Sequence, residues 1–191
     1  MKKRFKHLIL LSIITFSLAI PAVYAYMYMK TQKIDNTFVP AIADCEVVEE
    51  FNGTTKSSIK VKSTSNVDCY IRVKLITYWQ DTKGNIVGIS SDKLNFNTTN
   101  DWIHDTVNDV YYYKYPVKVG QTTNEFLSNG STITLKQTSK DVTSNGITVK
   151  YYYNQVVEIH SEAIQANPPK AVFEAWGAVV DPSSGYITSI N

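Results

Sequence analysis

The chain has 191 residues and a formal net charge of +2 at pH 7, a length that suits one domain with a sizeable core and argues against a second. Four of its 19 basic residues lie at the very N-terminus, and without them 15 basic residues are outnumbered by 17 acidic ones, which argues against a polycation that binds nucleic acid. The 13 Tyr and the abundant Thr, Val and Ile predict an all-β protein.

The N-terminus has the pattern of a secretory signal peptide. A basic start precedes 13 uncharged apolar or small residues, Leu8 to Ile20, which is the length of a signal core and short for a membrane span. Pro21 then disrupts the helix, and Val23 and Ala25 occupy the −3 and −1 positions of a cleavage site. We predict a signal peptide over residues 1–25. The alternative is a retained anchor over Leu8–Met29, interrupted only by Pro21, with the basic residues inside.

Period-two alternation predicts the first strands of the mature protein. A strand over 45–51 places Cys45, Val47 and Phe51 on one side. In a second strand over 57–63, apolar Ile59 and Val61 alternate with lysines. The clearest strand covers 69–79, and its apolar face carries Cys69, Ile71, Val73, Leu75 and Trp79. Turn residues separate these strands.

The second half of the chain begins with a polar stretch, 88–109, which predicts a long surface excursion anchored by Trp102. Strands resume over 110–120, 131–136 and 147–166, and a short helix over 171–176 is expected between Pro169 and Gly177. Seven or eight antiparallel strands predict a β-sandwich of jelly-roll or immunoglobulin-like topology over residues 45–191. Residues 26–44 then form a leading segment of the mature protein.

Several segments together resemble a family of exported bacterial proteins. In "AYMYMKTQKIDNTFVPA" an Ala-aromatic step is followed by Asn36, Thr37 and Phe38, as in the processing region of SipW-type signal peptides. "VKSTSNVDCYIRVKL", "YYYKYPVKVGQTT" and "EAIQANPPKAVFEAW" resemble consecutive blocks of that group, which is related to the TasA and camelysin proteins. The chain departs from the pattern at Ala41, where family members commonly have Gly. The resemblance implies processing by a dedicated signal peptidase, a jelly-roll domain and, for the TasA branch, assembly into matrix fibres.

Two cysteines, Cys45 and Cys69, are the only ones in the chain. If the first two strands form a hairpin, Cys45 lies opposite about Ser63, so both cysteines are expected at one end of the sandwich on apolar positions. With export, this placement makes a disulfide plausible, worth roughly 3 kcal/mol in the chain-entropy model. The alternative is a pair of buried thiols; two cysteines alone make no zinc site.

Catalytic signatures are scarce. His104 lies in the polar stretch and His160 on the outward side of its strand, where a surface role is the ordinary one. No His-Glu-x-x-His, Gly-x-Ser-x-Gly or phosphate-loop motif occurs. The acidic residues Asp92, Asp101, Asp105 and Asp109 offer oxygen ligands for calcium, although solvated loop carboxylates are commoner. We therefore expect no enzymatic activity and no cofactor.

The leading hypothesis is an exported, non-enzymatic subunit of the cell surface or biofilm matrix that works by self-association or by binding related matrix proteins. The freed N-terminal segment, with Ile34, Asn36, Thr37, Phe38 and Val39, would add a strand to the sheet of a neighbouring copy. The alternative, which the sequence favours equally, is that this segment pairs within its own domain. A surface module that binds carbohydrate or another ligand through its tyrosines and the 88–109 loop is the alternative function, and a metal-dependent peptidase the third.

Overall fold

The computed structural model describes residues 39–191, and contacts divide the chain into the units Met1–Pro40 and Ala41–Asn191. The second unit contains eleven strands and one helix: β1 (Cys45–Phe51), β2 (Thr55–Ser63), β3 (Cys69–Asp81), β4 (Ile86–Ile89), β5 (Trp102–Asp105), β6 (Val110–Tyr113), β7 (Ile133–Thr134), β8 (Gln137–Ser144), β9 (Ile147–Gln165), α1 (Pro169–Trp176), β10 (Ala178–Val180) and β11 (Ile187–Ile190). The one helix among the described residues, α1, is not long and apolar enough to cross a membrane.

Two antiparallel sheets form a sandwich, which confirms the predicted fold class. The larger has the order β5-β6-β3-β9-β8, with β4 also paired to β3, and the smaller has the order β1-β2-β7. Ile59 and Val61 of β2 share one buried cluster with Ile71 and Val73 of β3 and with Phe126. The alternation predicted for 69–79 is therefore real, because its apolar side faces this core.

A third layer, which the sequence did not predict, covers part of the outer face of the larger sheet. It consists of α1 and the β10–β11 hairpin, and its Val172, Ala178 and Ile187 pack against Tyr70 and Tyr112. The helix itself was predicted. It ends where Gly177 takes a left-handed conformation, with φ of 67°, and its backbone N–H donates to the carbonyl of Phe173, the arrangement that favours glycine at this position.

The β8–β9 hairpin extends beyond the smaller sheet. All eight residues of β8 and the first six of β9 are exposed. No register shift interrupts the ladders that β9 forms with β3 and β8, so the side of β9 that carries Val157 into the core also carries Val149 and Tyr151. The protruding part, residues 137–153, is called the β8–β9 arm. Its core-facing side exposes Val142, Ile147, Val149 and Tyr151 to solvent.

Phe51 does not share the burial of the other residues on its predicted side of β1. The sequence places Cys45, Val47 and Phe51 on one side, and 52% of Phe51 is exposed. The pairing of β1 with β2 shifts register between Val48 and Glu50, and such an irregularity bends a strand away from its ladder. The end of β1 therefore leaves the core at Phe51.

Candidate functional site

An open groove runs along one lateral side of the sandwich, between β1 and β9. It has a volume of about 530 Å³ and is called the β9 groove. One wall comes from β1, β2 and their turn, and the other from residues 154–160 of β9. Its lining residues include Glu49, Phe51, Lys56, Leu135, Val157 and Ile159.

The floor of the groove is an unpaired strand edge. On the side away from β3, β9 pairs with β8 only over residues 147–154. The Gln155 N–H still donates to the Lys136 carbonyl, at 2.8 Å. Successive residues of a strand point their backbone groups to opposite sides, so Val157 and Ile159 present theirs to the same edge as Gln155. Val157 is only 1% exposed, so Ile159 is the one of these two that solvent reaches. In the described part of the chain no strand pairs with that edge beyond Gln155.

The wall formed by β1 and β2 combines an ion pair with an apolar surface. Glu49 Oε1 accepts a hydrogen bond from Lys56 Nζ, and Lys56 Nζ also lies 5.2 Å from the centroid of the Phe51 ring. The other oxygen, Glu49 Oε2, is buried and has no hydrogen-bond partner among the described residues. A buried acceptor without a donor is costly, and Glu49 is one of the residues that line the groove.

The two sheets approach closely at the other end of β1, where the cysteines lie. Cys45 is paired across from Ser63, as predicted, and the Cys69 thiol donates to Ser63 Oγ at 3.4 Å. Cys69 belongs to the main core cluster, and Cys45 is partly buried and packs against it. Burial raises the pKa of the Cys45 thiol, partly offset by its hydrogen bond with Ser161. Both are free thiols in the structure; their disulfide stays a prediction.

The proposed assembly segment falls almost wholly outside the described residues. The cleavage-site residues Val23 and Ala25 lie there as well, together with Ile34, Asn36, Thr37 and Phe38. Val39 is described, and 73% of it is exposed. Shortly after it, the Ile42 N–H donates to Asn66 Oδ1 at 2.7 Å, so the chain enters the domain beside the turn that precedes β3.

The 88–109 stretch is more ordered than expected, since the end of β4 and all of β5 fall within it. Trp102 anchors it in the core, at 5% exposure. His104 stacks on Tyr111 with ring centroids 4.0 Å apart, and its Nε2 lies 2.9 Å from an Asp109 oxygen.

The four acidic residues considered for calcium have separate hydrogen-bond partners. Asp92 accepts from Lys136, Asp101 from Tyr115 and Asn124, Asp105 from Asn108, and Asp109 contacts His104. Within residues 39–191 no group of three or more His, Cys, Asp or Glu side chains is placed to hold a metal ion.

Comparison with known proteins gives no match: no family model fits the chain, and no curated protein or solved structure is similar to it. The groove itself had no simple signal in the sequence. The β9 strand reads as one long alternating segment, and nothing in that pattern marks where β8 stops covering its edge.

Proposed function

We propose that this protein is an exported, non-enzymatic structural subunit of the cell surface or extracellular matrix, and that it associates by adding a strand to the β9 groove. The observation that carries the proposal is the unpaired edge of β9 in an open groove. An edge of this kind binds an extended segment through its backbone groups, while neighbouring pockets select alternate side chains.

The mature N-terminal segment has the chemistry that this groove requires. Ile34 and Phe38 are apolar and suit the surface formed by Phe51, Leu135 and Ile159. Asn36 and Thr37 carry hydrogen-bond donors. Glu49 Oε2 is an acceptor that has no donor among the described residues. We propose that residues 34–39 of one copy enter the groove of the next, so that copies join head to tail. In the alternative, the segment enters the groove of its own domain.

The exposed side of the β8–β9 arm gives further support to association. Its Val142, Ile147, Val149 and Tyr151 are 42%, 68%, 47% and 48% exposed. A two-stranded ribbon is marginally stable alone in water, and exposed apolar patches of this kind are typical of interaction surfaces.

Electron microscopy and size-exclusion chromatography test the proposal on two lengths of chain, 26–191 and 41–191. We expect the longer chain to form oligomers or fibres at rising concentration and the shorter one to remain monomeric. A longer chain that stays monomeric at every concentration would contradict assembly and leave the pairing within one domain.

A matched pair of variants tests the groove itself. Phe51→Asp introduces a charge into the β9 groove and should abolish assembly of the 26–191 chain. Phe173→Asp changes a residue of similar exposure, 49% against 52%, on α1 and outside the residues that line the groove, so it should leave assembly unchanged. Assembly that survives Phe51→Asp would place the acceptor elsewhere on the surface.

A further inference from the structure

A second pocket lies on the outer face of the larger sheet, and it shares one lining residue, His160, with the β9 groove. It forms at the border of the third layer, beside Trp176 at the end of α1, where the strands of the larger sheet continue past that layer. The pocket has a volume of about 400 Å³ and is lined by side chains of β3, β6, β9 and α1, including Arg72, Lys74, Tyr112, His160, Glu162 and Trp176. It is called the outer pocket.

The Arg72 side chain is held in one position by three neighbouring side chains. Its Nε and Nη2 donate to Glu162 Oε2, at 2.9 and 2.7 Å, and its Nη1 donates to the Tyr112 hydroxyl at 3.3 Å. The guanidinium carbon lies 4.8 Å from the centroid of the Trp176 ring and 5.9 Å from that of Tyr112. Cation–π contacts and a two-nitrogen carboxylate contact both restrict a guanidinium, so this wall of the pocket is preorganised.

The charges around the outer pocket leave one ammonium without a counterion. Glu162 is paired with Arg72. Glu158 accepts from the Tyr78 hydroxyl at 2.6 Å and contacts His160 Nε2 at 3.2 Å. Lys74 is exposed, lies directly opposite His160 in the ladder, and has no ion pair among the described residues. A ligand with one negative group would therefore find a partner at Lys74.

The other lining groups suit a sugar ring. Trp176 is partly exposed at the wall of the pocket and offers aromatic surface against which the C–H groups of a pyranose can pack, whereas Tyr112 is only 2% exposed and serves to hold Arg72. Ligand pockets commonly combine such apolar surface with a few placed polar groups. Glu162 and Asn108, which also lines the pocket, supply hydrogen-bond partners for hydroxyl groups.

We propose that the outer pocket binds an acidic sugar unit of a polysaccharide, with its carboxylate on Lys74 and its ring against Trp176. The site is complete within one copy of the chain and does not depend on strand exchange. Apart from Asn108, its lining residues lie outside the 88–109 loop, where the sequence had suggested a carbohydrate site. The protein would thereby attach to an anionic polysaccharide.

Calorimetric titration of the purified mature protein tests this with a short oligogalacturonate and with the same oligomer as its methyl ester, in which the carboxylates are neutral. We expect the acid to bind about ten-fold or more tightly than the ester, since a hydrogen bond to a charged group is lost. Lys74→Gln should weaken binding of the acid by a similar factor. Lys140→Gln, on the exposed strand β8, is the matched control and should change nothing.

Trp176→Phe serves as a second variant, because it keeps an aromatic ring against Arg72. Binding of the acid should quench tryptophan fluorescence in the unmodified protein, and most of that change should disappear in Trp176→Phe. The proposal is wrong if the acid does not bind at millimolar concentration, if the ester binds equally well, or if Lys74→Gln binds like the unmodified protein while its thermal melting is unchanged.

Discussion

Phe126 is the residue whose truncation should destabilise the sandwich most clearly. It is 0% exposed, and its ring centroid lies 5.2 Å from that of Trp102, 5.1 Å from that of Tyr111 and 5.7 Å from that of Phe96. Removing a buried Phe side chain costs about 3–5 kcal/mol. Three rigid rings around the site collapse poorly into the cavity, and two edge-to-face contacts are lost as well. We therefore expect Phe126→Ala to cost about 4–5 kcal/mol of unfolding free energy.

Urea unfolding followed by tryptophan fluorescence measures this loss, with the slope m checked for constancy. Phe173→Ala is the control, because Phe173 is 49% exposed, and it should cost less than about 1 kcal/mol. Should Phe126→Ala leave too little stability to measure, Phe126→Leu should cost about 1 kcal/mol. A Phe126→Ala loss no larger than that of Phe173→Ala would refute the view that this aromatic cluster organises the core.

Three further predictions concern charge, redox state and processing. The Ser184 hydroxyl and nearby donors lower the pKa of Asp181 from 3.8 to about 2. Its carboxylate therefore stabilises the folded state above about pH 4, and this contribution is lost as pH falls toward 2. Thermal melts should show Asp181→Asn less stable than the unmodified protein at pH 7 and equal to it near pH 2. If Cys45 and Cys69 form a disulfide, thiol titration of the unfolded, unreduced protein finds no free thiol, and reduction lowers the free energy of unfolding by about 3 kcal/mol. Two titrated thiols would exclude the bridge. N-terminal sequencing of secreted protein should begin at Tyr26, and a protein that still begins at Met1 would contradict cleavage.

The parts of the fold that the sequence predicted are those in which one residue pattern decides the outcome. In β3 the alternation of apolar and polar residues places Ile71 and Val73 in the core, and in β9 it does the same for Val157. The first six residues of β9 follow the same alternation but are exposed. The helix α1 begins after two prolines and ends at Gly177, which are strong local signals.

The missed elements lack such a signal. All of β8 is exposed, so no alternation marks it, and it forms because it continues the hairpin with β9 through Asn145 and Gly146, both with positive φ. The short strands β10 and β11 are only three and four residues long, and they are stabilised by packing on Tyr70 and Tyr112.

Both candidate sites depend on where one element stops covering another. The β9 groove opens because β8 ends its pairing at Asn154, and the outer pocket opens because the third layer ends near Trp176. These endpoints are set by tertiary packing, which overrides local propensity. The residues of the outer pocket come from four distant segments, so their grouping was not visible in the chain.

The central ladder of the larger sheet also determines the order in which the molecule can fold. Thirteen residue pairs join β3 to β9, from Cys69 with Gln165 to Asp81 with Tyr153, and the whole middle of the chain separates them. Closing so long a loop costs conformational entropy, and the contacts that compensate for this cost form only afterwards. Sheets with such distant pairings fold in milliseconds to seconds rather than microseconds. Until β9 has paired with it, β3 has an exposed edge and an apolar face that is not yet covered in the final core. A chain that must wait in this state is open to strand exchange with its neighbours during folding.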